Sequence, residues 1–290
     1  MRVSGFTFLR NAQKHGYPFV PSIRSILPIV DEFVIALGPS DDDTELMIRA
    51  IGDPKIRIVP TTWNEGMRKD AKVQGFVYGQ QKSIALFNCS GDWAFYLEGD
   101  EVVSEKDLGT IRAAMERHLD NPKVEALIFG YLHFYGNKNT YAWSPRWYRT
   151  APRILRNTIP AWGPKGLFFI VLEDQKSGRY PRAAHSGATI YHYGWVRSEE
   201  QMNMKSSSVA RFWRNKASSV DYSAIDPMTL KPFLGEHPKV VQDWLPAAND
   251  LFRPNPAHQL NRRERKHRLM LRLEQWFGLE LSKKHYRLVT

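Results

Sequence analysis

The sequence predicts an α/β fold in which helices cover both faces of a parallel sheet. Over the first 135 residues, short apolar runs of strand length alternate with segments of helical periodicity, and this alternation is typical of parallel sheets. Hydrophobic residues make up 42% of the 290 positions, enough for a sizeable core and too many for a disordered chain. The one cysteine, Cys89, excludes an internal disulfide framework and a cysteine-based zinc site.

The alternating elements can be assigned in chain order. They are a strand at 3–9, a helix at 19–30, a strand at 32–37, a helix at 43–51, a strand at 55–59, a helix at 74–88, a strand at 93–97, a helix at 104–119 and a strand at 124–134. The strands are rich in β-branched and aromatic residues, and the helices repeat apolar residues at a spacing of three and four. Asp42, Asp43 or Thr44 could cap the second helix, and Ser104 begins a turn that resembles a capping arrangement.

The pattern changes after residue 135. Residues 136–197 hold many aromatic, Gly and Pro residues and only short strand-like pieces, which indicates an antiparallel or irregular part of the same domain. A helix is predicted at 198–216, six prolines follow within 217–258, and a basic helix spans about 258–283. We therefore predict a domain at 1–215, with halves that divide near residue 103, and a mostly helical C-terminal extension at 216–290.

A cluster of carboxylates closes the fourth strand. The apolar run 93–97 ends at Glu98, Gly99, Asp100 and Glu101. Open α/β sheets bind ligands just beyond the carboxyl ends of their strands, and closely spaced carboxylates there suit a hard divalent cation. A solvated acidic loop is the alternative interpretation.

Several motifs, taken in order, resemble those of family 2 glycosyltransferases with the GT-A fold. The first strand leads into the Arg-Asn loop of bacterial glycosyltransferase 2-like proteins, the second into a Ser-x-Asp-x-Thr pattern, and the fourth into the position of the Asp-x-Asp metal motif. A later His-containing motif follows at 190–195, and the resemblance covers about residues 1–210. The motif residues that carry it are Phe8, Arg10, Asn11, Ser40, Asp42, Thr44, Glu98, Asp100 and His192.

The resemblance implies a metal-dependent and inverting transfer of sugar from a nucleotide-sugar donor to a saccharide or lipid-linked acceptor of the cell surface. It implies that Phe8, Arg10, Asn11, Ser40, Asp42, Glu98 and Gly99 contact the nucleotide. Mn²⁺ or Mg²⁺ would be bound by Asp100 first, Glu98 next and then Glu101, which could instead support the site from behind. His192 is either a third ligand or a structural hydrogen-bonding residue.

The sequence departs from the family pattern at two positions. Glu98 stands where the family usually has Asp, so the geometry of metal or diphosphate must shift, or Asp100 alone binds directly. Gly38-Pro39 stands where the family often has an acidic residue that touches the base or ribose, which leaves the usual uridine contact without its residue.

An inverting transfer needs a general base for the acceptor hydroxyl. Glu173 and Asp174 end a predicted strand and form the acidic pair of the middle section, so one of them is our candidate. A plain loop pair is the alternative, and His133, His185 and Asp100 are weaker candidates.

Basic side chains are expected to neutralise the diphosphate. Arg10 is the leading candidate, followed by Arg197 and Lys205, whose alternative is a solvated helix face. Residues 262–290 hold nine Lys or Arg and three Glu. A basic amphipathic helix of this kind can lie on an anionic membrane, dock on its own domain, or form a homodimer.

Two rival functions remain open at this point. A pI near 9.7 and a net charge of +11 favour a nucleic-acid-binding protein, although no nucleic-acid motif accompanies them. Glu98 and Gly38 also permit a catalytically inactive scaffold. Residues 1–9 lack the pattern of a signal peptide, and no apolar run reaches the length of a membrane span, so we expect a cytoplasmic protein, in a peripheral position at the inner membrane face if the basic helix binds lipid.

Overall fold

The computed structural model describes residues 1–69, 74–213, 219–245 and 253–289. The first half alternates strands and helices in the predicted order. Its elements are β1 (Val3–Leu9), α1 (Phe19–Ile26), β2 (Glu32–Leu37), α2 (Thr44–Arg49), β3 (Ile56–Pro60), α3 (Phe76–Phe87), β4 (Trp93–Tyr96), β5 (Glu101–Val103), α4 (Leu108–Arg117) and β6 (Ala126–Tyr135). Single 3₁₀ turns extend α1 at Leu27–Ile29 and precede α4 at Glu105–Asp107.

The second half is mostly strands until two long helices. Its elements are β7 (Thr140–Ala142), β8 (Thr150–Arg156), β9 (Ala161–Trp162), β10 (Ile170–Leu172), β11 (Gly178–Arg179), β12 (Arg182–Trp195), α5 (Glu199–Trp213), β13 (Leu230–Pro232), α6 (Arg262–Phe277) and β14 (Arg287–Leu288). None of the helices in the described part of the chain is long and apolar enough to cross a membrane.

One mixed sheet joins the two halves. Strands β3, β2, β1 and β4 lie side by side in parallel. Strand β8 then pairs antiparallel with both β4 and β6, and β7 and β13 continue the antiparallel half. Strand β12 runs parallel to β6 and antiparallel to β5. The predicted fold class, an α/β mixed sheet flanked by helices with a Rossmann-like parallel half, is confirmed.

Strand β4 shows why the sheet is covered on both faces. Its four residues are all fully buried, and successive side chains of a strand point to opposite faces. Trp93 and Phe95 pack with residues of α1 and α4, whereas Ala94 and Tyr96 pack with residues of α3. The uninterrupted apolar run that predicted this strand is therefore the signature of a strand between two layers of helices.

The structure differs from the prediction mainly in the antiparallel half. Strand β5 was not predicted, because only Val102 and Val103 of its three residues are apolar, and β12 is much longer than the predicted piece at 188–193. Strand β5 pairs with β12 and places Glu101 opposite His192. This pairing brings the carboxylate cluster after β4 to a histidine that is remote in the sequence.

The described residues of the C-terminal segment extend the main sheet. Strand β13 pairs with β7, and β14 pairs with β12. Two ion pairs hold helix α6, Arg268 with the buried Asp226 and the buried Glu274 with Arg149. The predicted basic helix thus exists, over Arg262–Phe277, and one of its faces packs against the domain.

The buried ring of His285 predicts a pH-dependent stability. It stacks on Phe168 at 5.0 Å between ring centroids, and burial, reinforced by Lys283, lowers its pKa to about 4. The unfolded ring takes a proton near pH ~6.5, so this stabilisation is complete above that pH and declines as the pH falls towards 4, by at most about 1.4 kcal/mol per unit. The free energy of unfolding, measured in urea, should fall less between pH 7.5 and 5 in the variant H285F than in the parent. An equal fall in both proteins would contradict the assignment.

Candidate active site

The carboxyl ends of β1 and β4 meet at one edge of the parallel half. Because the two strands are adjacent and parallel, the loops that follow them, from Arg10 and from Glu98, lie close together. They open into a cavity of about 340 Å³. It is lined by Phe8, Leu9, Arg10, Asn11, Ala12, His15, Tyr17, Trp63, Glu65, Tyr78, Tyr96, Glu98, Gly99, Asp100, Gly166, Leu167, Lys205, Ser208, Val209 and Phe212.

The Ser-x-Asp-x-Thr motif holds the loop after β1. The backbone N–H of Asn11 donates to Ser40 Oγ at 3.0 Å, that of Ala12 to Thr44 Oγ1 at 2.8 Å, and that of Lys14 to Asp42 Oδ2 at 2.8 Å. Asn11 has a positive φ of 51°, a backbone conformation that Asn tolerates better than most residues. Ser40 and Asp42 do not line the cavity, so here they shape the loop, and their predicted contact with the nucleotide would have to be indirect.

Aromatic rings form the cavity wall beside Arg10. Phe8, Trp63, Tyr78 and Phe212 touch one another edge-on or tilted, with ring centroids 5.3 to 6.3 Å apart. The sequence does not single out Trp63, Tyr78 or Phe212 as site residues, since aromatic residues at these spacings are equally typical of a core.

The ring of Trp63 accounts for the departure from the family pattern at Gly38. A Cβ on Gly38 would overlap the indole, with Cδ1 at 2.7 Å. The volume that an acidic side chain would need there is filled by an aromatic ring. The indole Nε1 is buried next to Gly38 without a hydrogen-bond partner among the described residues.

Gly38→Ala should therefore disturb the cavity through Trp63. We expect a lower melting temperature, equivalent to about 1–3 kcal/mol of overpacking, and weaker nucleotide binding because the indole must move. Gly109→Ala is the matched control, because a Cβ there meets nothing within 4 Å. Thermal unfolding with and without nucleotide measures both effects, and equal behaviour of the two variants would refute the role of Gly38.

Glu101 is committed to a buried ion pair and does not face the cavity. Arg153 donates to Glu101 through Nε at 2.8 Å and Nη2 at 2.6 Å, and Tyr131 donates its hydroxyl at 2.9 Å. Both charged side chains are fully buried. The expectation that Glu101 is a metal ligand is corrected accordingly: its oxygens are occupied, and it supports the loop from behind.

Glu98 lines the cavity above this pair. Its carboxylate lies 3.5 Å from Arg153 Nη2. Burial, together with the neighbouring Glu101, raises its pKa to about 8. A raised pKa favours the protonated form, which can donate a hydrogen bond, for instance to a ribose or phosphate oxygen.

Two positively charged side chains lie close to the carboxylate of Asp100. Lys205 Nζ donates to Asp100 Oδ2 at 3.2 Å, and Arg197 Nη2 lies 3.8 Å from the same oxygen. Burial by itself would raise the pKa of Asp100, but Lys205 and Arg197 lower it below its usual range. Asp100 is thus a carboxylate at all ordinary pH values.

Arg197 is nearly inaccessible and only partly satisfied. Its side chain is 1% exposed, it donates through Nη1 to the carbonyl of His15, and its guanidinium lies 4.7 Å from the centroid of the Tyr17 ring. Its Nε and Nη2 have no hydrogen-bond partner among the described residues. The guanidinium therefore lies beside Asp100 with two nitrogens that are not committed to other described residues.

Arg10, our leading candidate for diphosphate neutralisation, already has an anionic partner. It pairs with Glu65 at 2.7 Å and donates to the carbonyl of Pro39 at 3.1 Å. Its guanidinium also lies 5.2 Å from the centroid of the Trp63 ring. Lys205 and Arg197 therefore replace Arg10 as the cations nearest to Asp100.

Hydrogen-bond partners assign the tautomers of two buried histidines. His133 Nε2 lies 2.8 Å from the carbonyl oxygen of Tyr148, which only accepts, so Nε2 carries the proton. Burial, followed by His192, lowers the pKa of His133 well below its ordinary value, so its Nδ1 accepts from Nδ1–H of His192 at 3.0 Å. The remaining nitrogen, His192 Nε2, bears a lone pair and lies 3.7 Å from Asp100 Oδ1.

A glycine keeps open the space beside this lone pair. A Cβ on Gly194 would stand 2.5 Å from His192 Nε2 and 3.0 Å from Asp100 Oδ2. Asp100 and His192 thus present an anionic oxygen and a neutral nitrogen to one small gap, and both are ligand types that divalent cations accept. The two residues fit a divalent cation.

The described residues contain no group of three or more His, Cys, Asp or Glu side chains that could hold a metal ion. A pair of protein ligands is what a nucleotide-dependent site requires, because Mg²⁺ commonly binds through one or two carboxylates plus substrate phosphates and water.

Glu173 and Asp174 do not reach the cavity. Both are exposed at the end of β10, in the separate three-stranded sheet of β9, β10 and β11. Asp174 accepts hydrogen bonds from Lys176 N and Ser177 N within its own turn, and Glu173 pairs with Arg179 at 3.0 Å. Neither lines the cavity, so this arrangement gives no support to their predicted role as general base.

Comparison with known proteins yields structures but no sequence relatives. No protein-family model matches the chain, and no curated protein matches it. Among solved structures, S. aureus TarS is 12% identical with a TM-score of 0.37 and covers 72% of this chain and 39% of its own. TarS 1-349 in complex with UDP is 14% identical with a TM-score of 0.39, over 72% and 64%.

A third similar structure is glucosyl-3-phosphoglycerate synthase from Mycobacterium tuberculosis with Mn²⁺, UDP and phosphoglyceric acid. It is 19% identical with a TM-score of 0.31 and covers 46% of this chain and 43% of its own. The chain thus spans between 39% and 64% of the length of the chains in these three structures.

Proposed function

We propose that the protein is a GT-A glycosyltransferase that moves a sugar from a nucleotide-sugar donor to an acceptor hydroxyl, with a divalent cation at Asp100 and His192. One observation carries the proposal. Asp100 is a buried carboxylate that lines an aromatic cavity, and the side chains of His192, Lys205 and Arg197 approach its oxygens to 3.7, 3.2 and 3.8 Å. A nucleoside diphosphate presents the matching parts, an aromatic base at one end and negative charge at the other.

In this proposal the donor lies along the cavity from Trp63 to Asp100. The base stacks among the rings near Trp63. The diphosphate lies near Lys205, which lines the cavity and donates to Asp100, and near the uncommitted donors of Arg197. Both side chains supply positive charge to it. Charge grows on the diphosphate as the bond to the anomeric carbon breaks, so these fixed cations stabilise the transition state more than the ground state.

The cation, when bound, supplies Lewis-acid stabilisation of the leaving diphosphate. Other residues of the chain hold the two ligands of the cation, His192 and Asp100, in position. His133 fixes the tautomer of His192 through their Nδ1 contact, and the Tyr148 carbonyl fixes His133 in turn. Arg153 and Glu101 hold the loop that carries Asp100.

The stereochemical outcome and the acceptor follow only from the family resemblance. We retain inversion and a cell-surface saccharide or lipid-linked acceptor as part of the proposal, together with a cytoplasmic location. Glu173 and Asp174 remain the predicted base, and they could act only if acceptor binding or a movement of their turn brought one of them to the donor.

A thermal-shift panel tests the function first. UDP, GDP, dTDP, CMP and their sugars are each added with and without Mn²⁺, since a ligand that binds only the native state raises the melting temperature. Stabilisation by one nucleoside diphosphate that requires Mn²⁺ would support the proposal and identify the donor class. If none of these ligands changes the melting temperature of a folded sample, the proposal is overturned, and the scaffold and nucleic-acid interpretations become the favoured ones.

Lys205→Met tests the proposed diphosphate contact. Loss of one charged hydrogen bond should weaken binding of the diphosphate identified by the panel about 10- to 100-fold, with a smaller effect on the matching monophosphate. Lys14→Met is the control, because Lys14 is exposed and pairs with Asp41. Isothermal titration measures the affinities. Equal losses for the diphosphate and the monophosphate would contradict the assignment of Lys205.

A further inference from the structure

Helix α6 is held against the domain by one face only. Arg268 donates two hydrogen bonds to Asp226, at 2.7 and 2.8 Å, and Glu274 accepts two from Arg149, at 3.1 and 2.6 Å. The capping box of Asn261 closes its first turn, and Gly278 ends it in the left-handed conformation. These contacts fix which side of the helix faces away from the domain.

The opposite side exposes large apolar side chains. Leu269 is 55% exposed, Trp276 71%, Phe277 66% and Leu279, just beyond the helix, 55%. Leu269 and Trp276 are two helical turns apart and so lie above one another. We call these four residues the outer apolar strip. Clustered apolar side chains of this size at a surface commonly mark a site of interaction.

Cationic side chains surround the strip. Arg262, Arg265, Lys266 and Arg272 are exposed on the same helix, and none of them forms an ion pair with another described residue. Residues 262–290 contain nine Lys or Arg and three Glu, a net charge of +6. The partner of this surface must therefore be anionic and must accept apolar side chains.

We propose that the outer apolar strip docks on an anionic lipid surface. Trp276 and Phe277 would enter the headgroup layer, where aromatic rings are favoured, and the flanking cations would meet lipid phosphates. A second copy of the chain is a poorer partner for this surface, because face-to-face contact would oppose two segments of net charge +6. The proposal is independent of the sugar-transfer reaction.

Co-sedimentation of the full-length protein with vesicles tests the proposal. Vesicles of phosphatidylcholine alone are compared with vesicles that contain about 30% phosphatidylglycerol as the anionic lipid. Binding is expected only with the anionic lipid and should weaken at high salt, because salt screens exposed charges.

Two variants separate the contributions of rings and charges. The variant W276S/F277S and the variant R262Q/K266Q/R272Q should each lower the partition coefficient at least about tenfold. The matched control R24Q/K123Q/K176Q removes the same charge from exposed positions elsewhere and should bind as the parent does. All three keep their melting temperature if the changed residues are exposed as the structure has them.

The proposal is overturned if the protein does not bind anionic vesicles. It is also overturned if the control R24Q/K123Q/K176Q loses as much binding as R262Q/K266Q/R272Q. Sedimentation velocity in the absence of lipid provides a further arm. A dimer of the parent that W276S/F277S dissociates would instead assign the strip to self-association.

Discussion

Asp100→Asn is expected to lower cation-dependent sugar transfer by about a thousandfold, the scale seen when a principal electrostatic contact of a transition state is removed. The amide is a much weaker cation ligand than the carboxylate. It also removes the countercharge of Lys205 and Arg197, which disorders the diphosphate contacts.

The measurement pairs turnover with direct binding. Release of nucleoside diphosphate from the donor that the thermal-shift panel identifies gives the rate, and Mn²⁺ paramagnetic resonance with and without nucleotide gives cation binding. Asp120→Asn is the control, because Asp120 is exposed at the end of the α4 segment. Nucleotide-dependent Mn²⁺ binding that survives in D100N would rule out the proposed ligand, and an inactive parent that still binds would favour a scaffold.

Arg153→Met is expected to destabilise the fold by about 3–5 kcal/mol, because it leaves the fully buried carboxylate of Glu101 without its partner. The double variant R153M/E101Q should lose less, since it removes both charges yet keeps an acceptor for the Tyr131 hydroxyl.

Urea unfolding gives the free energies of unfolding for this series. Arg112→Met serves as the control, because Arg112 forms an exposed pair with Glu116 one helical turn away and such pairs contribute roughly 0.3–0.5 kcal/mol. A single variant R153M within 1 kcal/mol of the parent, or a double variant no more stable than the single one, would show that the buried pair does not hold the loop.

The parallel half of the fold was predictable because its information is local. Strands β1, β2 and β4 are short apolar runs that end at Gly, Pro or charged residues, and each is buried from both sides. The antiparallel half was not, because β5 has three residues and β12 takes its length from its neighbours. Pairing in such a sheet is decided by contacts between distant residues.

Some residues of the candidate site could also be predicted from the sequence, and others could not. The carboxylates after β4 could be located from the sequence, and the structure places His192, Lys205 and Arg197 at Asp100. The role of Arg153 could not be inferred, since nothing in its own strand distinguishes a buried arginine from an exposed one. The departure at Gly38 was visible, but the ring of Trp63 that fills its space belongs to a different strand end.

The loop after β1 has a consequence for how fast a donor can bind. Side chains of the neighbouring loop already take the backbone N–H groups of Asn11, Ala12 and Lys14. Unlike the amides of a glycine-rich phosphate loop, these are not free to close around a ligand. The loop therefore has little conformational entropy left to lose, and association should proceed in one kinetic phase, at a rate set by encounter and electrostatic steering and not by loop closure.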